Sequence, residues 1–186
     1  LTGDENAAND CKTKTVTNIE PFLCIDGLYT SGCSFGDGLT SWDFSNVNVP
    51  AIACDGSPYD WYHDWTANTH EFEAGMDYVL SVEPGYANTW LDVWIDFDDN
   101  LYYDDDELIL NDVELAATGT VYEFTITIPD GVPTGMHYLR WRTNWQAAVP
   151  GSCDVLTYGM ASASWAMLVG GVTGPAISVD PIRVDK

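Results

Sequence analysis

The stretch from Trp90 to Asp112, WLDVWIDFDDNLYYDDDELILND, opens and closes as a β-strand and holds the densest run of acid in the chain between those ends. Eight carboxylates fall between Asp92 and Glu107, with no basic residue among them. Counting from Asp96 as position 1, Asp98 is position 3, Asn100 is 5, Tyr102 is 7, Asp104 is 9 and Glu107 is 12. This is the ligand spacing of a twelve-residue calcium loop. Calcium takes about six to eight hard oxygens, and alternate residues of a tight loop can all point inward. Five side chains and the Tyr102 carbonyl would supply them, so the spacing predicts calcium as the cofactor. Position 6 usually holds glycine for a sharp turn, and here it is Leu101. A leucine is strained at positive φ, which predicts a different bend. The flanks are strand-like, so the loop is expected inside a β-hairpin and not between two helices.

Outward from this stretch, strand signals recur. TVYEFTITIP alternates with period two: Tyr122, Phe124, Ile126 and Ile128 face one side, and Glu123, Thr125 and Thr127 the other. WDFSNVNV reads as one alternating strand, DYVLSVEPG as another ended by Pro84-Gly85, MHYLRWRTNW as a strand carrying two arginines, and SWAMLVGG as a last apolar strand. Turn signals come roughly every ten residues and no helical period survives a count. The pattern predicts an all-β fold, an antiparallel β-sandwich of jelly-roll or immunoglobulin-like type.

The 186 residues suit one domain. Acidic residues number 29 against six basic ones, and between Glu20 and Pro181 only Arg140 and Arg142 are cationic. Such a surface repels nucleic acid and anionic membranes and tolerates salt and divalent cations. No apolar run is long enough to span a bilayer. The chain begins as a mature fragment would, without a visible signal peptide.

Cys11, Cys24, Cys33, Cys54 and Cys153 make an odd count, with no CxxC and no zinc spacing. In an acidic, tryptophan-rich β protein they read as oxidised, hence extracellular or on a cell surface. The expected pairs are Cys24–Cys33, which closes a short loop across a glycine-containing turn, and Cys54–Cys153, which ties early loops to the last strand. Cys11 is left over; a Cys11–Cys24 pair is the competing arrangement.

Several landmarks stand in order: Cys24, Cys33 with Gly36-Asp37, Cys54, Gly75 with DYVLSV, VWIDFDDNLYYDDDE, FTITIP, Gly135 with YLRWR, Cys153 and Tyr158-Gly159. Over about residues 22–170 this set resembles the GEVED domain family of secreted Bacteroidota proteins. The name-giving Gly-Glu-Val-Glu-Asp run is broken: Gly159 is kept, while Met160, Ser162 and Ala163 stand where the acids would be. If family carboxylates there neutralise the arginines, Arg140 and Arg142 need other partners, with Asp92 and Asp154 as candidates. The resemblance implies export, β-sandwich modules and attachment to large multidomain surface proteins; it implies no ligand. Residues 1–19 resemble the closing strand of an immunoglobulin-like adhesin repeat, so the expected division is 1–19 as the tail of a preceding repeat or linker, 20–171 as the β-sandwich, and 172–186 as an exit linker or the start of a next module.

Catalytic sets are weak. His63 and His70 sit in HDW and HEF, neither a zinc motif; no Gly-x-Ser-x-Gly elbow exists; carboxylate pairs carry no specificity among so many acids. The chain is therefore expected to be no enzyme. Aromatics near turns are the other candidate binding feature. Trp61, Tyr62 and Trp65, with Trp42, Trp145 and Tyr86 elsewhere in the chain, could form a sugar-stacking platform or belong to the core. The expected function is a calcium-stabilised extracellular module for adhesion or spacing, partnered by neighbouring domains of its own polypeptide and by a glycan or surface protein. Two alternatives stay open: a carbohydrate-binding module of a secreted enzyme, and a segment of an extracellular appendage.

Overall fold

The computed structural model describes Cys24 and residues 27–54 and 61–170. The expected divisions at 1–19 and 172–186, and the odd thiol Cys11, lie outside the described residues. Eleven strands and one 3-10 turn follow in order: β1 (Tyr29–Gly32), β2 (Leu39–Phe44), β3 (Val47–Val49), β4 (Tyr62–Glu73), β5 (Asp77–Pro84), β6 (Thr89–Ile95), the 3-10 turn (Asp105–Glu107), β7 (Leu108–Leu115), β8 (Tyr122–Thr127), β9 (Gly135–Trp145), β10 (Leu156–Tyr158) and β11 (Ala161–Val169). A five-stranded sheet runs β4-β11-β9-β6-β7 and a four-stranded sheet β3-β2-β5-β8. The β-sandwich expected from the alternating strands is the architecture found. It is mixed in one respect: β11 pairs with β4 in parallel.

WDFSNVNV is two strands, not one. Ser45 takes φ 57°, and the chain folds back so that Phe44 faces Val47 and Trp42 faces Val49. A period-two pattern continues across a tight hairpin whenever the turn preserves the face, so alternation alone hides the reversal.

The core between the sheets is built from alternate residues. Leu91, Val93 and Ile95 of β6 and Leu139 and Trp141 of β9 meet Trp42 and Phe44 of β2 and Leu80 and Val82 of β5. Trp42 and Trp141 stack across the two layers with centroids 5.8 Å apart.

The five-stranded sheet is covered on its outer face as well. There Leu28, Tyr29, Tyr62, Trp94, Tyr103, Val149, Leu156, Ala161 and Ala163 form a second buried cluster. This explains why WLDVWI lacks clean alternation: both faces of β6 are buried, as in a central strand covered on two sides. The cover is a lid made of the short parallel pair β1–β10 and the chain leading into it.

Arg140 and Arg142 point into this outer cluster and are fully buried. Arg142 donates to the backbone carbonyls of Gly151 (2.7 Å) and Asp154 (2.7 Å) and to that of Leu28 (3.5 Å). Arg140 donates to the Ser152 carbonyl at 3.1 Å and to the Cys24 sulfur at 2.8 Å. Each guanidinium also lies over a ring, Arg140 over Tyr103 and Arg142 over Tyr29. Planar heads with several donors are well matched to these positions, because they satisfy lid carbonyls that would otherwise be buried without a donor. Asp154, a carboxylate partner expected from the sequence, reaches Arg142 through its backbone oxygen instead.

The cysteine pairing differs from the expected one. The bridges are Cys24–Cys153 and Cys33–Cys54, with Cα separations of 5.6 and 5.7 Å. Strand β1 is the reason. It lies between Cys24 and Cys33 in extended form, and four residues at ~3.3 Å each already exceed the ~7 Å that a bridge can span. Cys24 and Cys153 each precede a strand of the lid, and those strands run parallel with Tyr29 opposite Leu156, so the two thiols arrive side by side.

Candidate metal centre

The acidic loop joins antiparallel β6 and β7, as expected for a hairpin. Its first residue is fixed by the sheet: the Asp96 amide donates to the Tyr138 carbonyl of β9 at 2.9 Å. From there the loop is organised by its own carboxylates. Asp96 accepts from the amides of Asn100 (3.1 Å) and Leu101 (3.0 Å). Glu107 accepts from Phe97 (2.7 Å), Asp98 (3.4 Å) and Asp104 (3.0 Å). Positions 1 and 12 thus gather the backbone of the segment between them. The Asn100 side-chain amide reaches Asp98 at 3.0 Å and Asp104 at 3.3 Å. Asp96, Asp98, Asn100, Asp104 and Glu107 are therefore linked in one cluster. The Tyr102 ring stands out of it, 46 % exposed, with its amide on the Asn100 side-chain oxygen.

One carboxylate oxygen from each of Asp96, Asp98 and Glu107 lies within 4.8 Å of the other two. Asp96 and Glu107 are buried and Asp98 is exposed. Burial raises the pKa of Asp96, and the charges of Asp99 and Asp98 push the same way against the lowering amides of Leu101 and Asn100. Burial likewise raises Glu107, with the Asp96 charge adding to it and the amides of Asp104, Asp98 and Phe97 opposing. Crowded, desolvated carboxylates of this kind are relieved by a bound cation. The donor set is all hard oxygen, which fits calcium and not a thiolate or imidazole metal.

Leu101 does not redirect the loop. It adopts φ 66°, the left-handed turn that position 6 requires, and Asp99 before it adopts φ 58°. The cost of a leucine there is about 1–2 kcal/mol, held in place by the Leu101 amide on Asp96.

His137 belongs to the site's support and was not singled out by spacing. It is buried on β9, with Nδ1 3.1 Å from the Asp96 carbonyl and 3.0 Å from the Asp99 carboxylate, and Nε2 3.2 Å from the Pro133 carbonyl. Its place opposite the loop is a matter of strand register, since Ile95 pairs with Leu139. No local sequence signal carries that.

Residues 90–162 match the GEVED domain family. The match takes in β6, the acidic loop, both arginines and Gly159, and it is shorter than the span over which the landmarks run in order. No curated protein matches the chain. Within the GEVED segment, Gly159 has a physical role. At φ 131° a side chain would collide with the Thr143 carbonyl at 2.2 Å and the Tyr29 ring at 2.8 Å. Its absence lets the Tyr29 hydroxyl reach the carbonyls of Thr143 and Met160, both at 2.8 Å. Met160, Ser162 and Ala163, where the sequence reading expected acids, are all buried, and Ala163 sits in register with Arg140.

Trp61, Tyr62 and Trp65 do not stand as a free stacking face. Tyr62 is buried in the outer cluster. Trp65 packs edge-on to Trp141 at 5.5 Å and to Trp42 at 6.5 Å, and Trp61 lies against both cores. Trp61 precedes β4 at φ 75° and packs with Tyr62 against the outer cluster, so packing takes up these rings and they form no open platform. Two disulfides fit an oxidising, extracellular compartment. No helix among the described residues is long and apolar enough to cross a membrane.

Proposed function

We propose that this chain is a calcium-stabilised, non-catalytic extracellular module that serves adhesion or structural spacing within a longer exported surface protein. The observation that carries the reading is the meeting of Asp96, Asp98 and Glu107 within 4.8 Å, two of them buried, at the tip of a hairpin whose backbone they organise. A cation at this point would cross-link the start of β7 to the end of β6 and hold the hairpin against β9 through Asp96 and His137. The family match and the two disulfides support an extracellular setting.

Thermal melting in calcium and in EGTA tests the proposal. At about a hundred times Kd, bound calcium adds ~2.7 kcal/mol, a rise of roughly 5–10 °C for a domain of this size. Glu107→Gln should remove most of the rise. Because Glu107 also gathers three amides, Asp98→Asn at an exposed position gives the cleaner comparison: an unchanged melt in EGTA and a weakened calcium isotherm. Coincident melts with and without calcium, together with no binding heat, would overturn the reading.

A further inference from the structure

A second feature lies away from the acidic loop. Phe35, Tyr158, Trp145 and Tyr86 form a row of edge-to-face rings: Phe35–Tyr158 at 5.9 Å and 67°, Tyr158–Trp145 at 5.5 Å and 89°, and Trp145–Tyr86 at 5.9 Å and 81°. With Asp37 they line an open groove of about 300 Å³. Phe35 is 69 % exposed and Tyr86 43 %, so two large rings of the row face solvent. Asp37 is the opposite, 2 % exposed, and its Oδ2 has no hydrogen-bond partner among the described residues.

The groove is held rigidly. The Phe35–Asp37 turn follows Cys33, which is bridged to Cys54, and closes with the Gly36 amide on the Cys33 carbonyl at 2.8 Å. The next loop docks on it: a side chain at Gly85 would lie 2.5 Å from the Gly36 carbonyl, and the Gly85 amide donates to Gly38 at 2.8 Å. Tyr86 is then fixed by Thr89, which donates to its carbonyl at 2.9 Å, and Trp145 by its indole N–H on the Ala87 carbonyl at 3.2 Å. A preformed groove costs little ordering on binding.

Its chemistry selects a ligand. Rings set near right angles present π-faces and edges from several sides and make no flat platform, which is a poor match to a stacked pyranose and a good one to an alkyl chain carrying a cationic head. A buried carboxylate oxygen without a partner calls for an N–H donor. The charge agrees: the only lysine or arginine residues in the described structure are the buried Arg140 and Arg142, so its surface offers a cation nothing but anionic company. We infer that this groove binds a protonated primary alkylamine, whose ammonium donates to Asp37 while its carbon chain lies against Tyr86, Trp145, Tyr158 and Phe35. A free amine and a lysyl side chain of another polypeptide share that chemistry.

The full chain, saturated with calcium so that the acidic loop does not compete, is titrated with n-butylammonium by calorimetry. Saturable one-to-one binding is expected, weakened about tenfold or more by Asp37→Asn. Phe35→Ala and Tyr86→Ala alter exposed rings, so they should weaken binding severalfold with the melt unchanged, and they keep the test valid if the Asp37 variant misfolds. Tetramethylammonium, a cation without an N–H, and n-butanol, without a charge, should each bind about tenfold more weakly. Nα-acetyl-lysine methylamide separates the sources: binding as tight as butylammonium shows that a lysyl side chain suffices, and its exclusion assigns the groove to small free amines. Unsaturable uptake, equal affinity in the ring variants, or tighter binding of glucose than of butylammonium would overturn the inference.

Discussion

Asp92 is the carboxylate on which burial acts most strongly. It lies under the lid beside Arg142, its strand partner, with one oxygen on the Asp112 amide at 2.6 Å. Its pKa is raised from 3.8 to about 7, by burial first and then by the Asp112 charge, against the lowering Asp112 amide and Arg142. The folded state therefore holds a proton that the unfolded chain gives up above about 4. The cost of ionising Asp92 in the fold is fully present above pH 7 and is relieved as pH falls toward 4. His70 works the other way. Burial lowers it from 6.5 to about 4; the Trp42 indole donates to its Nε2 at 3.1 Å, and Nδ1 lies 3.1 Å from the Trp165 carbonyl. The fold refuses a proton that the unfolded chain accepts, so its contribution is lost as pH falls from 6.5 toward 4. The two effects oppose each other across that window. Asp92→Asn should raise stability at pH 8 by ~2 kcal/mol, less than the full shift would give because solvent screening reduces it. The same variant should lose stability more steeply than the parent between pH 6.5 and 4, where His70 then acts unopposed. Denaturant midpoints of the two proteins at pH 8, 6.5 and 4.5 check both signs; parallel curves would refute the assignment.

At the scale of the element, the lid is what the Cys24–Cys153 bridge and the arginines share. Cys24–Cys153 spans 129 residues and Cys33–Cys54 spans 21. In the chain-entropy account such loops are worth roughly 5 and 3 kcal/mol. The two breaks should differ in kind. Cys24→Ala with Cys153→Ala frees the lid over buried Arg140 and Arg142, so it should expose the outer cluster and raise protease cleavage within 145–156. Cys33→Ala with Cys54→Ala leaves the lid in place and loosens the turn that carries Phe35 and Asp37. Non-reducing peptide mapping should recover a Cys24–Cys153 and a Cys33–Cys54 peptide; a Cys24–Cys33 peptide would contradict the fold. The same lid explains the reading of β6. Its TWLDVWI run looks irregular when one buried face is assumed, and regular once Trp94 and Asp92 are assigned to the outer face and Leu91, Val93 and Ile95 to the inner one.

The whole molecule carries a formal charge of −23. Its two central cations are buried, so the described surface presents acid alone among lysine, arginine and carboxylate side chains. Self-repulsion on this surface is long-ranged at low ionic strength, where the Debye length is ~30 Å at 0.01 M, and short-ranged at 1 M, where it is ~3 Å. The melting temperature should therefore rise with sodium chloride in EGTA, by several degrees between those limits, and calcium should add a further increment at either salt level. Melts that fall with salt would mean that attractive ion pairs, not repulsion, dominate the surface. An increment from calcium that vanishes at high salt would mean general screening and not a site.

The alternation of TVYEFTITIP, the turns and the acid spacing sufficed for a β-sandwich with a carboxylate loop in a hairpin, because each of these is a local property: side-chain period, backbone preference and residue type over a dozen positions. The left-handed turn at Leu101 was not legible in this way: residue type alone predicts a different bend, and the amide bond to Asp96 holds the leucine at positive φ. What tertiary structure decided is everything that joins distant segments. The parallel docking of β1 on β10 set the cysteine pairing, since proximity of Cys24 to Cys153 depends on strand order and direction, which no local pattern encodes. The cover on the outer face turned two arginines into ligands of lid carbonyls. The row of Phe35, Tyr86, Trp145 and Tyr158 around Asp37 came from four separate stretches brought together at one end of the sandwich. Spacing reports what neighbours in the chain can do; register between strands decides which of them become neighbours in space.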